Sequence, residues 1–195
     1  MDFFDRKTFN PIENNKHKQI LTVLRQKGRK RKQEFLQHHS VAHQSTAMKW
    51  ALEYAQKGGV FFDLGCGDSA DVAIAQKLGF TAQGFDLFPP FDYDAETSDN
   101  SFILTDVVER IPYSAGFADV VIAQAMLDLI EPNMRKTFFQ EVNRVLKPKG
   151  VFACLVQWLQ SGYGIDLEEE FARAKQVFTG QFYKKANGFV FVKGV

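Results

Sequence analysis

The chain is poor in cysteine and histidine. Its two cysteines, Cys66 and Cys154, lie far apart in apolar, strand-like surroundings. We therefore expect neither a disulfide framework nor a zinc site built from cysteines alone, and we expect a reducing cytoplasm as the location. His38, His39 and His43 have a spacing that suits metal ligation on a helix poorly, so we expect no metal site.

Long apolar runs are also missing. The chain has no stretch of about 18 uncharged apolar residues, so no membrane span is expected. Its first residues contain no apolar stretch of signal-peptide length, so secretion is not expected. The 195 residues, 45% of them hydrophobic, fit one domain with a sizeable core.

Charge is distributed unevenly along the chain. Residues 1–58 carry twelve Lys or Arg against five Asp or Glu, whereas residues 59–195 carry twelve against eighteen. Six of the eight residues in Arg25–Lys32 are basic, which favours binding to phosphates or to another anionic surface. No aromatic residue interrupts this run, so a solvated stretch without a ligand is an equal alternative. We interpret residues 1–58 as a basic N-terminal helical arm or lid, with a helix over 40–57.

Strand-like and helix-like segments alternate over residues 59–195. Apolar runs predict strands at Val60–Leu64, Thr81–Phe85, Ser101–Leu104, Ala118–Ala123 and Val151–Val156, and helical spacing predicts helices at Ala70–Leu78, Met134–Leu146 and Leu167–Phe178. Asn187-Gly188 predicts a hairpin between Gln181–Lys185 and Phe189–Lys193. The expected fold class is α/β. We expect a Rossmann-like, doubly wound, mostly parallel sheet of seven strands that ends in an antiparallel hairpin.

The first predicted strand runs into a glycine turn that can form a ligand site. The turn and its flanks read Asp63-Leu64-Gly65-Cys66-Gly67-Asp68-Ser69-Ala70. Its spacing also matches the dinucleotide pattern G-x-G-x-x-G/A, with Asp86 about 20 residues further on. A pyrophosphate at this position would be repelled by Asp68 and Asp71, unless these acids only cap helices. The acids suit S-adenosylmethionine better, because it has no phosphate and carries a sulfonium and an amino group.

Two further acids follow predicted strands. Asp86 ends the second strand, where its carboxylate can accept both hydroxyls of a ribose. Asp106 follows the third strand, where it can accept from an adenine amino group. An N-cap of a short helix is an alternative role for Asp106, and a loop or cap position is one for Asp86.

Four segments in this order resemble the class I S-adenosylmethionine-dependent methyltransferases. They are the glycine turn, Gly84-Phe85-Asp86, Ile111–Val121 with its Ile-Pro-Tyr and Phe-Ala-Asp-Val-Val, and Glu141–Gly150, which is similar to the family's "E..RVLKPGG". The stretch that begins at Gly65 resembles the small-molecule branch of the family. Two glycines of the family pattern are replaced, by Ser69 and Lys149. Ser69 is compatible with the turn if its φ is negative.

The resemblance implies a cofactor, S-adenosyl-L-methionine, and a set of residues that bind it. Asp63 and the turn would hold the methionine part, Asp86 with Leu87 the ribose, and Asp106 with Val107 the adenine. Gln124 would lie beside the methionine amino group, with Ala125 and Met126 near the transferred methyl. The full implied set is Asp63, Gly65, Cys66, Gly67, Asp86, Leu87, Asp106, Val107, Gln124, Ala125 and Met126.

The acceptor of the methyl group stays open between two classes. A small molecule is slightly favoured, because residues 59–195 carry no appended RNA-binding domain, whereas the basic arm favours RNA or a nucleotide. Asp128 and His43 are candidate general bases, and neither is assigned. A nicotinamide-dependent oxidoreductase and a cofactor-binding scaffold without activity are the competing functions.

Overall fold

The computed structural model describes residues 44–88, 101–156 and 163–195. The helices of this part of the chain are α1 (Thr46–Leu52), α2 (Ala70–Lys77), α3 (Arg135–Val145) and α4 (Leu167–Lys175), with a 3-10 turn at Leu127–Leu129. The strands are β1 (Val60–Leu64), β2 (Thr81–Asp86), β3 (Phe102–Leu104), β4 (Ala118–Gln124), β5 (Leu146–Leu155), β6 (Gly180–Lys185) and β7 (Gly188–Lys193). No helix in the described ranges is both long enough and apolar enough to cross a membrane.

The strands form one seven-stranded sheet with the order β3-β2-β1-β4-β5-β7-β6. The pairs among β1 to β5 are parallel, and β7 pairs antiparallel with both β5 and β6. The predicted α/β fold with a C-terminal antiparallel hairpin is therefore confirmed. The chain order reverses direction at β1, between β2 and β4. In parallel sheets, ligands bind at such a switch point, beyond the carboxyl ends of the strands.

Helices cover both faces of the sheet. Ala47, Met48 and Ala51 of α1 are fully buried with side chains of α2 on one face. The other face packs against α3 and α4 through an aromatic core that includes Phe138, Phe139, Phe152, Phe178 and Phe189. Since both faces are buried, the strands need nearly continuous apolar runs, which made them recognisable.

Several element ends differ from the predicted ones. α1 ends at Leu52 rather than near residue 57, and the first part of the predicted helix lies outside the described residues. α4 ends at Lys175, although Phe178 beyond it is buried in the core. β5 begins at Leu146, five residues before the predicted start, because Leu146 pairs with Ala118 ahead of a register shift.

Lys149 has the backbone of a glycine. Its φ is 64°, in the left-handed region, where the family pattern has its second glycine. The left-handed conformation costs an L-residue about 1–2 kcal/mol. A glycine avoids this cost, but it also raises the conformational entropy of the unfolded chain, which cancels part of the gain in stability. We expect Lys149→Gly to raise the free energy of unfolding by about 0.5–1 kcal/mol, measured by urea denaturation. The matched change at an exposed helical position, Gln140→Gly in α3, should lower it by about 1 kcal/mol. A loss of stability in Lys149→Gly would contradict the strained backbone.

Candidate functional site

The glycine turn is tied to the neighbouring strand by its backbone. The amides of Gly65 and Cys66 both donate to the carbonyl oxygen of Phe85, at 2.8 and 3.1 Å. Gly65 and Gly67 have φ values of 71° and 54°, which favour glycine. A Cβ added to Gly65 would lie 2.9 Å from Sδ of Met126, whereas one added to Gly67 would meet no atom of the described residues within 4 Å. The backbone of Gly67 therefore faces open space that a ligand can approach closely.

Ser69 departs from the sequence-based expectation. Its φ is 59°, in the left-handed region, so the negative φ given as the condition for its fit to the turn is not observed. The turn needs this conformation to direct the chain from the glycines into α2. Locally, the Ser69 amide donates to the Cys66 carbonyl at 2.9 Å, and its hydroxyl lies 3.5 Å from the Cys66 sulfur. The turn thus has the backbone conformation of the family pattern, which a glycine at position 69 would adopt at a lower conformational energy than serine.

Asp86 connects the end of β2 to the glycine turn. Its Oδ2 accepts from the amide of Gly67 at 2.9 Å, and its Oδ1 accepts from the amide of Phe88 at 3.1 Å. An ionised carboxylate offers about four acceptor positions, so it can hold the turn and accept ribose hydroxyls at the same time. The geometry therefore suits the predicted ribose contact.

The turn carries a negative electrostatic potential. Burial raises the pKa of the Cys66 thiol well above its usual value, and the charges of Asp63 and Asp86 raise it further. The thiol is therefore neutral, and the two carboxylates act at the same place. A negative field next to an open backbone disfavours a pyrophosphate and favours a cation. These residues therefore fit the sulfonium and ammonium groups of S-adenosylmethionine.

Asp106 makes a local contact at the end of β3. Its Oδ1 accepts from the amide of Val108 at 2.9 Å, as an N-cap side chain would, although residues 107–109 form a turn and not the short helix of the alternative. The amide of Thr105 donates to the Asp86 carbonyl at 3.0 Å, so the ends of β2 and β3 lie side by side. Val107 is buried, and Leu87 is half-buried directly after β2. The adenine-binding role of Asp106 and Val107 stays a prediction.

The end of β4 lies beside the glycine turn, because Leu64 of β1 is paired with Ala123. Met126 reaches Gly65, and Ala125 has a left-handed φ of 56° while its amide donates to the Leu155 carbonyl at 3.0 Å. Met126 therefore lies beside the glycine turn, and its place near the transferred methyl stays a prediction. Gln124 makes an unforeseen contact, since its Oε1 accepts from the Ala47 amide at 3.1 Å.

Asp71 contacts α1 rather than capping its own helix. Its Oδ1 accepts from the amide of Ser45, the N-cap of α1, at 3.0 Å. Asp71 is 1% exposed, so this bond is buried. Sequence reasoning assigned Asp71 only a charge or a cap, because a contact across 26 residues leaves no local pattern. The Ser45 side chain, which caps α1 through the Met48 amide, was the only available clue to this helix start.

Asp128 follows the end of β4. This residue is 2% exposed in the 3-10 turn after β4, and its backbone carbonyl accepts from the amide of Tyr163 at 3.0 Å. Close by in the chain, Arg135 pairs with Glu170 at 2.8 Å and donates to the carbonyls of Ile130 and Gly164. Of the two candidate bases, the structure describes Asp128, whereas His43 and the basic run 25–32 lie outside the described residues.

Comparisons with known proteins identify the domain that contains these residues. Residues 62–154 match a family model described as a methyltransferase domain. A comparison with curated proteins gave no match.

Three solved structures are similar in fold. A TehB-like S-adenosylmethionine-dependent methyltransferase from Corynebacterium glutamicum has 16% identity over 88% of this chain and 99% of that one, with a TM-score of 0.64. The 1,6-didemethyltoxoflavin-N1-methyltransferase of Burkholderia thailandensis, with its substrate and S-adenosylhomocysteine bound, has 18% identity over 91% and 90%, with a TM-score of 0.57. A methyltransferase from Aquifex aeolicus has 15% identity over 76% and 88%, with a TM-score of 0.55.

At these identities the structural likeness establishes the fold, and the family match establishes the domain. The matched residues include the glycine turn, the acid at the end of β2 and the end of β4. A nicotinamide-dependent oxidoreductase fits neither the family model nor the acids of the turn. Residues 62–154 thus match the methyltransferase-domain family, and the chain has the fold of S-adenosylmethionine-dependent methyltransferases, so S-adenosyl-L-methionine is the cofactor that this domain implies.

Proposed function

We propose that the protein transfers a methyl group from S-adenosylmethionine to an acceptor held at the carboxyl edge of the sheet. The observation that carries this proposal is the open backbone at Gly67 beside the carboxylates of Asp63 and Asp86. The cofactor supplies a methyl group on a positively charged sulfur. The acids compensate that charge, and the glycines let the methionine part approach the backbone.

The remaining predicted contacts complete the site. Asp86 binds the ribose while it holds Gly67, and Asp106 and Val107 bind the adenine. Gln124 lies beside the methionine amino group, and Ala125 and Met126 lie near the transferred methyl, next to the space for the acceptor. A sulfonium is a good leaving group, so aligning the acceptor and excluding water supply much of the catalysis. We assign no general base, because one is needed only for an acceptor that must lose a proton early.

A small molecule is the favoured acceptor. The stretch of sequence that begins at Gly65 resembles the small-molecule branch of these methyltransferases. Among proteins of this fold, the Burkholderia thailandensis enzyme has 1,6-didemethyltoxoflavin bound. The two cysteines are free and buried, which fits the cytoplasm as the proposed location.

RNA is the second candidate acceptor, and the position of α1 favours it. The amides of Ser45 and Ala47 bind Asp71 and Gln124, so the chain enters α1 at the same edge as the cofactor site. Eleven residues, 33–43, separate the basic run from Gln44. A chain spans at most about 3.5 Å per residue, so the length of this connection allows the basic run to contact a polyanion bound at this edge.

The test begins with calorimetry using S-adenosylmethionine, S-adenosylhomocysteine and NAD. We expect both sulfur compounds to bind and NAD to bind far more weakly. Tight NAD binding without a response to S-adenosylhomocysteine would overturn the proposal.

A tritiated-methyl assay against metabolite, RNA, DNA and protein pools then identifies the acceptor. Label in the metabolite pool supports the favoured class. Label in RNA supports the second candidate, and replacing the six basic residues of 25–32 by serine should then lower RNA binding and flatten its salt dependence. Cofactor binding without any label would favour the scaffold without activity.

A further inference from the structure

The first turn of α1 is held by side chains that come from the cofactor site. A helix start leaves backbone amides without partners inside the helix. Here the Ser45 amide donates to Asp71 and the Ala47 amide donates to Gln124, while the Ser45 hydroxyl accepts from the Met48 amide. Two of the three acceptors therefore lie outside α1, 26 and 77 residues further along the chain.

Both acceptors lie next to residues that bind the cofactor in the proposed function. Asp71 is in the first turn of α2, directly after the glycine turn. Gln124 is the last residue of β4, and Met126, two residues on, packs against Gly65. The start of α1 is therefore hydrogen-bonded both to the start of α2 and to the end of β4.

The contact is buried and tightly packed. Ser45 is 3% exposed and Asp71 is 1% exposed, and Ala47 and Met48 have no exposed surface. In such a dry environment an amide left without its acceptor is costly, so the carboxylate strongly favours one position of the helix start. The opposite end of α1 is held differently, by an exposed ion pair at 2.7 Å between Glu53 and Lys185 of the terminal hairpin.

We propose that Asp71 and Gln124 are positioning residues that link cofactor binding to the docking of the start of α1. The proposal rests on the proposed function. Cofactor bound at the glycine turn and at the end of β4 stabilises both acceptors, which then hold the amides of α1 more firmly. Linkage is reciprocal, so a well-docked α1 start raises the cofactor affinity by the same factor.

The experiment measures backbone hydrogen exchange at residues 45–48 and the affinity for S-adenosylhomocysteine by calorimetry. In the unchanged protein, the ligand should slow exchange at these amides. Asp71→Ala should speed their exchange and weaken ligand binding by about tenfold, which is about 1.4 kcal/mol. Asp71→Asn keeps an acceptor oxygen and should bind within about threefold of the unchanged protein. Glu53→Gln, at the other end of α1, should change neither quantity.

A second pair of variants removes the donor instead of the acceptor. Ser45 has a φ of −64°, which proline adopts without strain, so Ser45→Pro deletes the amide hydrogen that Asp71 accepts. Ser45→Ala keeps this hydrogen and loses only the capping hydroxyl. If Asp71→Ala does not fold, the Ser45 variants replace it in the test. Weaker ligand binding in Ser45→Pro than in Ser45→Ala then supports the linkage.

The outcomes separate the two proposals. Failure of the unchanged protein to bind S-adenosylhomocysteine would overturn the proposed function and the linkage with it. Normal binding without a change in exchange at 45–48 would overturn the linkage alone. Full affinity in a folded Asp71→Ala, or equal affinities in Ser45→Pro and Ser45→Ala, would also overturn the linkage alone.

Discussion

Asp86→Ala is expected to weaken S-adenosylhomocysteine binding by at least about 100-fold. Hydrogen bonds to a charged group contribute about 1.5–3 kcal/mol each, and two ribose hydroxyls would lose theirs. The substitution also removes the acceptor of the Gly67 amide, which lies 2.9 Å from Oδ2. Asp86→Asn keeps one acceptor oxygen and should lose less. Calorimetry with each variant measures the change.

A thermodynamic cycle separates the ribose contact from the support of the turn. The 2′-deoxyribose analogue of S-adenosylhomocysteine lacks one of the hydroxyls that Asp86 is proposed to bind. The unchanged protein should bind this analogue more weakly than S-adenosylhomocysteine, whereas Asp86→Ala should bind the two ligands equally. An equal penalty for the analogue in both proteins would mean that Asp86 acts only through Gly67.

Local patterns were sufficient to predict most of the fold. The strands β1, β2 and β4 are apolar runs that end at glycine or polar residues, and α2 ends before Gly79. Burial on both faces makes such strands continuous in composition, so they can be read without knowledge of their partners. The Asn187-Gly188 hairpin was predictable for a similar reason, because a two-residue turn has a narrow choice of residues.

The features that sequence reasoning missed depend on which elements become neighbours. Gln124 was predicted beside the methionine amino group, but its oxygen accepts from Ala47, 77 residues earlier. Only the packing of α1 across β4 and β5 creates that contact. Ser69 was misjudged for a different reason, since the backbone shape of the turn outweighs the preference of a single residue. The replacement of the family's glycine by Ser69 therefore does not change the backbone conformation of the turn.

A buried ion pair between α3 and α4 gives the largest expected effect on stability. The side chains of Arg135 and Glu170 are 3% and 1% exposed, and their Nη1 and Oε1 atoms are 2.8 Å apart. Arg135 also donates to the carbonyls of Ile130 and Gly164, each at 3.0 Å. One guanidinium thus joins the start of α3, the end of the 3-10 turn region and the chain that leads into α4. No local pattern predicts this pair, which spans 35 residues.

Arg135→Met should lower the free energy of unfolding by about 3–5 kcal/mol, because it leaves the Glu170 carboxylate buried with only Arg173 beside it. Urea denaturation measures the loss. Arg135→Lys keeps the charge but cannot reach all three acceptors in the planar arrangement of a guanidinium. Its free energy of unfolding should therefore lie between those of the unchanged protein and Arg135→Met. The double variant Arg135→Met with Glu170→Leu removes the stranded charge and should recover a large part of the loss. If the double variant were instead less stable than Arg135→Met alone, the cost would come from lost hydrogen bonds to Ile130 and Gly164 and not from an unpaired carboxylate.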